Sequence, residues 1–183
     1  MEEQQTALPG VIIIEPNILS DNRGLFYESY NPNYHRIQGL ENPFVQDNVS
    51  HSKQNVLRGL HLQHPNGQGK LVSVIRGAVL DIAVDVRLGS PTFGRHVAVE
   101  LDEFSRRQLW IPRGFAHGFL VLSKNADFLY KCDAPYSRAD EISIRWNDPQ
   151  LGIAWPIPDP TLSAKDAAAP LLAELGDRLP RFA

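Results

Sequence analysis

Short runs rich in Val, Ile, Phe, Tyr and Leu recur along the chain, separated by Gly, Pro, Asn and Asp. They predict strands near Gly10–Glu15, Arg23–Tyr30, Phe44–His51, Val56–Gln63, Lys70–Arg76, Ala78–Val86, Arg95–Leu101, Gln108–Pro112, His117–Leu122 and Asp127–Cys132, with another through Glu141–Arg145. The clearest alternation is Leu80-Asp81-Ile82-Ala83-Val84-Asp85-Val86. It places Leu80, Ile82, Val84 and Val86 on one side and Asp81 and Asp85, with Val79 and Ala83, on the other. Many short strands at this spacing indicate a β-sandwich or barrel. Two segments read as helical. Asn31 to Leu40 offers an N-cap and a proline in the first turn. Leu162 to Leu175 begins with Ser163 and Asp166 and is interrupted by Pro170, which divides it into two short pieces. No repeat, low-complexity stretch or linker breaks the pattern, so residues 1–183 are expected to form a single domain.

Composition narrows the class. Of the 183 residues, 43% are hydrophobic and 21% charged, which is the balance of a soluble globular protein. The net charge of −3 gives no electrostatic reason to expect nucleic acid or an anionic membrane as partner. One cysteine, Cys132, allows no internal disulfide and suits a reducing compartment. The first nine residues lack the apolar core of a signal peptide, and no apolar run approaches the ~20 residues that span a bilayer. The expectation is a cytoplasmic protein.

The chemistry concentrates in three blocks. Val56-Leu57-Arg58-Gly59-Leu60-His61-Leu62-Gln63 sets two ionisable residues around a glycine. In an ideal strand Arg58 and His61 point to opposite faces, and a bulge at Gly59 would bring both toward one cavity. The other blocks are Gln68-Gly69-Lys70-Leu71-Val72 and Pro112-Arg113-Gly114-Phe115-Ala116-His117-Gly118. Together they resemble the two signature motifs of the cupin jelly-roll fold, which implies a mostly β, jelly-roll β-barrel with a few short helices. A metal-binding cupin offers His-x-His and a Glu in its first motif. Here Gln63 stands two residues after His61, and Lys70 occupies the region of the expected carboxylate. A metal site needs three or four convergent ligands, so no metal is expected.

Further segments extend the resemblance over nearly the whole chain. They include Asp21-Asn22-Arg23-Gly24, Phe44-Val45-Gln46-Asp47-Asn48, Ser90-Pro91-Thr92-Phe93-Gly94, Arg107-Gln108-Leu109-Trp110-Ile111-Pro112, Phe128-Leu129-Tyr130-Lys131 and Leu162-Ser163-Ala164-Lys165-Asp166. In order and spacing the chain resembles the dTDP-4-dehydrorhamnose 3,5-epimerases. That resemblance implies an isomerase acting on a dTDP-linked 4-keto-6-deoxy sugar without a cofactor. In such a sugar the carbonyl at carbon 4 acidifies the protons on carbons 3 and 5. Inversion then needs a base and an acid on opposite sides of the ring and a cation or donor at the enolate oxygen. The resemblance assigns His61 as the base, with Asp166 as its carboxylate partner, Tyr130 as the acid on the far face and Lys70 at the enolate oxygen. Arg58 and His117 belong to the sugar pocket.

The same resemblance places the nucleotide. Gln46 and Asn48 lie two apart on a strand, share a face and suit a pyrimidine edge. Arg23 suits a diphosphate, where a guanidinium offers paired donors. Glu28 and Lys165 complete the substrate-binding set, and Tyr136 offers a ring that stacks on a base. In the family the N-terminal strand is exchanged in a homodimer, so Arg23 is expected to serve the neighbouring subunit's site. Two departures touch nucleotide grip: Pro135 stands where many relatives have a tyrosine, and Leu19 where they often have an aromatic. Three other readings stay open. They are an epimerase that inverts one centre only, a metal-dependent cupin oxygenase, and a non-catalytic sugar-nucleotide binder.

Overall fold

The computed structural model describes residues 1–33, 40 and 42–182. Two antiparallel sheets face each other. The first has six strands, in the order β1 (Glu2–Gln5), β2 (Ile12–Glu15), β10 (Gln108–Ile111), β7 (Lys70–Arg76), β12 (Asn125–Cys132) and β5 (Gln46–Lys53). The second has five: β13 (Glu141–Ser143), β6 (Leu57–Gln63), β11 (Phe115–Val121), β8 (Ala78–Asp85) and β9 (His96–Asp102). A separate hairpin joins β3 (Leu19–Asp21) to β4 (Gly24–Phe26). This is the jelly-roll architecture expected of the motifs.

Burial explains why the strands read so clearly. The space between the sheets is filled from both sides, by Val72, Val74, Leu109, Ile111 and Phe128 of the first and Val79, Ala83, Leu101, Phe115, Phe119 and Val121 of the second. The outer face of the five-stranded sheet is also covered, since Leu60, Ile82, Val84 and Ala116 pack against Leu151, Leu172, Leu175 and Leu179. On the outer face of the six-stranded sheet, Ile12, Ile14, Leu71 and Trp110 meet Tyr30, Leu40 and Phe44. β8 therefore alternates between two apolar environments rather than between core and water. Its inward aspartates, Asp81 and Asp85, are fully buried and carry specific partners.

The predicted strands appear with small boundary shifts, except that the stretch over Arg23–Tyr30 contracts to β4. β1 and β3 were not anticipated; their residues are exposed, polar but for Leu19, and carry no alternation to read. The C-terminal segment does divide at Pro170, into α1 (Ala164–Ala167) and a 3₁₀ turn over Leu172–Glu174. Of the expected Asn31–Leu40 helix, residues 34–39 lie outside the described set.

Candidate active site

The sequence of β6 creates the site's central irregularity. His117 of β11 pairs with His61, yet Phe119 pairs with Arg58, so Gly59 and Leu60 together oppose the single Gly118. Gly59 adopts φ 129°. A Cβ there would lie 2.5 Å from the Cα of Gly118, so only glycine fits. This bulge turns Arg58 and His61 to the same side, against the alternation of a regular strand.

Both side chains line a cavity of about 630 Å³ between the two sheets. β6 and β11 supply Arg58, His61, His117 and Phe119 from the five-stranded wall. β7, β12 and β5 supply Lys70, Phe128, Tyr130 and Ser50 from the six-stranded wall. α1 closes one end with Lys165 and Asp166. A smaller concavity of about 310 Å³ shares His61, Lys70, Tyr130 and Glu141 with it and continues past Gln46, Asn48, Gln63, Gln68 and Tyr136.

Two histidine–carboxylate pairs face this space. His61 Nε2 lies 2.6 Å from Asp166 Oδ1. Asp166 is itself held, because Ser163 caps α1 by accepting from the Asp166 amide at 3.1 Å. Burial alone would raise the Asp166 carboxyl. The hydrogen bond and charge of His61, with help from Ser163 and Gly59, outweigh it and hold the group below the usual carboxylate range. Asp166 is therefore ionised near neutral pH and is placed to accept a proton carried on Nε2; in a neutral imidazole bonded this way Nδ1 holds the lone pair. The second pair is His117 Nε2 with Asp81, at 2.9 and 3.1 Å, both residues buried.

The opposite wall offers donors. The side chains of Tyr130 and Lys70 make no hydrogen bond among the described residues, although both residues belong to paired strands. Burial raises the Tyr130 phenol, which therefore keeps its proton at neutral pH. Burial lowers the Lys70 ammonium, opposed by the nearby Cys132, Asp81 and Glu141. Arg58 is steadied by Ser52 Oγ, which accepts from its Nε at 3.1 Å. One wall thus presents an imidazole and the other a protonated phenol and a lysine amine, an arrangement suited to moving protons on the two faces of a ring lying between them. Among the described residues, no group of three or more His, Cys, Asp or Glu is placed to hold a metal ion.

Residues 5–174 match the family model of dTDP-4-dehydrorhamnose 3,5-epimerase. The chain belongs to this family. The epimerase of that name from Salmonella typhimurium is 56% identical over 171 residues, covering 92% of this chain and 93% of the relative. Among solved structures, the Legionella pneumophila dTDP-6-deoxy-D-glucose-3,5-epimerase in complex with dTDP-4-keto-L-rhamnose superposes with a TM-score of 0.96 and 52% identity, over 100% of this chain and 98% of that one. The Mycobacterium tuberculosis epimerase superposes with a TM-score of 0.94 and 40% identity, over 100% and 94%.

Within this epimerase chain the expected site residues divide. His61, Asp166, Tyr130, Lys70, Arg58, His117 and Lys165 come together in the larger cavity. Gln46, Asn48 and Tyr136 line the smaller one beside it. There Gln46 Oε1 accepts from the Tyr136 amide at 2.8 Å, and Gln46 Nε2 donates to Asn48 Oδ1 at 3.0 Å. Arg23 and Glu28 are brought to neither. Arg23 sits on the β3–β4 hairpin, paired with Asp21 and exposed, and Glu28 accepts from Asn31 at 2.9 Å. Leu19, Leu25 and Phe26 of the same hairpin are exposed.

Sequence reading missed several participants. Glu141 lines both concavities and ties Lys165, at 2.7 Å, to the Tyr136 hydroxyl, at 3.2 Å. Burial works to raise its carboxyl, but Lys165, His61 and Tyr136 hold it below the usual range. Asp81 was placed on the correct face of β8 without its histidine. Gln63 helps fix the Tyr136 loop, its Oε1 accepting from the Ser137 amide at 2.9 Å. The period-two signal on β5, Gln46-Asn48-Ser50-Ser52, was read only over its first two members.

Proposed function

We propose that this chain converts dTDP-4-dehydro-6-deoxy-D-glucose to dTDP-4-dehydro-L-rhamnose, with His61 as the base at carbons 3 and 5. The observation that carries this reading is the placement of a carboxylate-backed histidine and a protonated tyrosine on opposite walls of one cavity. His61 takes a ring proton, and the electron pair of that C–H bond moves into the carbonyl to give an enolate. Asp166 stabilises the imidazolium so formed. The Lys70 ammonium stands at the enolate oxygen. Tyr130 returns a proton to the other face and inverts the centre. Solvent exchange then takes the proton from His61 and restores that of Tyr130. Oxidation state and net charge are unchanged, so the chemistry calls for no cofactor. Arg58 and His117 hold the sugar.

The nucleotide end follows the smaller concavity, with Gln46 and Asn48 at the pyrimidine edge, Tyr136 on the base and Lys165 near the substrate's entry. Arg23 and Glu28 act from a second copy of the chain in a homodimer with exchanged N-terminal strands. Support comes from the hairpin's exposed apolar residues and from β5, an edge strand of eight residues that has a neighbouring strand on one side only among the described residues. The protein works in the cytoplasm. None of the described helices is long and apolar enough to cross a membrane.

Proton NMR of the product tests the reaction. Incubation with dTDP-4-dehydro-6-deoxy-D-glucose should yield a sugar inverted at carbons 3 and 5. Inversion at one centre alone would make this a monoepimerase of another deoxysugar route. No conversion would leave a binding role.

A further inference from the structure

The loop that follows β12 is held mainly by side chains from other elements. Ala134, Pro135, Tyr136 and Ser137 run along the surface, with Pro135 and Tyr136 exposed. Main-chain groups so placed can bond to water. Here each of the four residues gives one main-chain group to a glutamine. Gln68 Nε2 donates to Ala134 O at 2.7 Å. Gln63 Nε2 donates to Pro135 O at 3.4 Å, and Gln63 Oε1 accepts from the Ser137 amide at 2.9 Å. Gln46 Oε1 accepts from the Tyr136 amide at 2.8 Å. The root of the loop is fixed as well, since the Asp133 carboxylate accepts from the Gly69 amide at 2.7 Å and from Arg113 Nε at 2.9 Å.

The three glutamines come from separate elements: Gln46 opens β5, Gln63 ends β6 and Gln68 lies just before β7. Gln63 is the pivot, because it is buried and alone bonds to two residues of the loop. Its Nε2 also donates to Asn66 O at 3.0 Å, so both of its N–H groups are committed to the protein. A side chain engaged in this way acts on a ligand through what it holds. What it holds is Tyr136, whose ring borders the smaller concavity and whose hydroxyl donates to Glu141 at 3.2 Å. A loop ordered before the ligand arrives spares the complex the entropy of ordering it then.

We propose that Gln63, with Gln68, is a positioning residue for the nucleotide: it holds the Tyr136 loop in the shape that receives the pyrimidine and so sets affinity for the nucleotide without touching it. This rests on the assignment of the base to Tyr136. The nucleotide is bound alike in the ground state and the transition state, so the contribution of Gln63 belongs to KM and not to kcat.

The test is Gln63→Met, which is close in size and lacks the amide, made alone and in a Tyr136→Ala background. Calorimetry reads dTDP binding, and steady-state kinetics on the dTDP-4-keto sugar read KM and kcat. Gln63→Met should weaken dTDP roughly five- to thirtyfold, the worth of one or two ordinary hydrogen bonds, and raise KM by the same factor with kcat held. In the Tyr136→Ala background it should change dTDP affinity by less than about twofold, because the ring it positions is gone. Unchanged dTDP affinity in Gln63→Met overturns the proposal. So does equal weakening with and without Tyr136, which is the mark of a structural glutamine. If Gln63→Met does not fold, Gln68→Met takes its place. It loses the bond to Ala134 O and should weaken dTDP about threefold when Tyr136 is present; unchanged affinity there overturns the proposal equally. Tyr136→Ala that binds dTDP as tightly as wild type would overturn it through its premise, the placing of the base, and not through Gln63.

Discussion

His61 and Tyr130 enter the same cavity from different sheets, His61 on β6 of the five-stranded sheet and Tyr130 on β12 of the six-stranded one. A flat substrate between them turns one face to each. The roles of the two residues are then separable by experiment. Tyr130→Phe keeps the base, so the enolate still forms and is reprotonated from the side it left. Inversion should fall on the order of 100-fold or more, while exchange of the ring protons with solvent continues. Parallel loss of exchange and inversion would show that Tyr130 does more than return a proton.

The bulge that brings Arg58 beside His61 depends on Gly59. At φ 129°, with Gly118 Cα 2.5 Å from the position of a Cβ, Gly59→Ala combines backbone strain with a clash against main chain that has no free end to move. We expect a loss of at least about 2 kcal/mol of stability, read from denaturant unfolding, together with loss of activity in whatever folded protein remains. A variant of wild-type stability would mean that the two strands separate more readily than their pairing implies.

How much of this could be read in the chain follows from the physics of each element. Strands packed on both faces, such as β7, β8 and β11, announce themselves as apolar runs. β1 and β3, exposed throughout, do not. Gly59 was legible because two ionisable residues three apart on a strand cannot share a face without an extra residue between them. The identity of Asp81 as the partner of His117 was not, because the register of β8 against β11 is set by the whole sheet and by no local signal. Glu141 escaped for a related reason: it reaches the site only through the pairing of β13 with β6. Arg23 and Glu28 were chosen from resemblance, and one chain alone leaves them outside both concavities.

Lys70 and Tyr130 give the pH dependence a direction. Burial lowers Lys70 from 10.5, so its charged form, the one proposed to face the enolate, is lost at lower pH than in free lysine. Burial raises Tyr130 from 10.0, so it keeps its proton beyond the range of free tyrosine. The alkaline limb of kcat/KM should lie below 10.5 and persist in Tyr130→Phe. Lys70→Met should lose activity by roughly 100- to 1,000-fold and lose that limb with it. A limb abolished by Tyr130→Phe instead would assign the ionisation to the phenol.

The central claim is that His61, held by Asp166, removes the ring protons. The direct measurement is incorporation of deuterium at carbons 3 and 5 of the dTDP-4-keto sugar in heavy water, followed by NMR, with variants first verified as folded. His61→Asn should abolish incorporation at both positions together with product formation. Asp166→Asn should slow both in the same proportion, because it removes the carboxylate 2.6 Å from Nε2 that stabilises the imidazolium. Folded His61→Asn that incorporates deuterium at the wild-type rate would contradict the account and pass the role of base to Lys70.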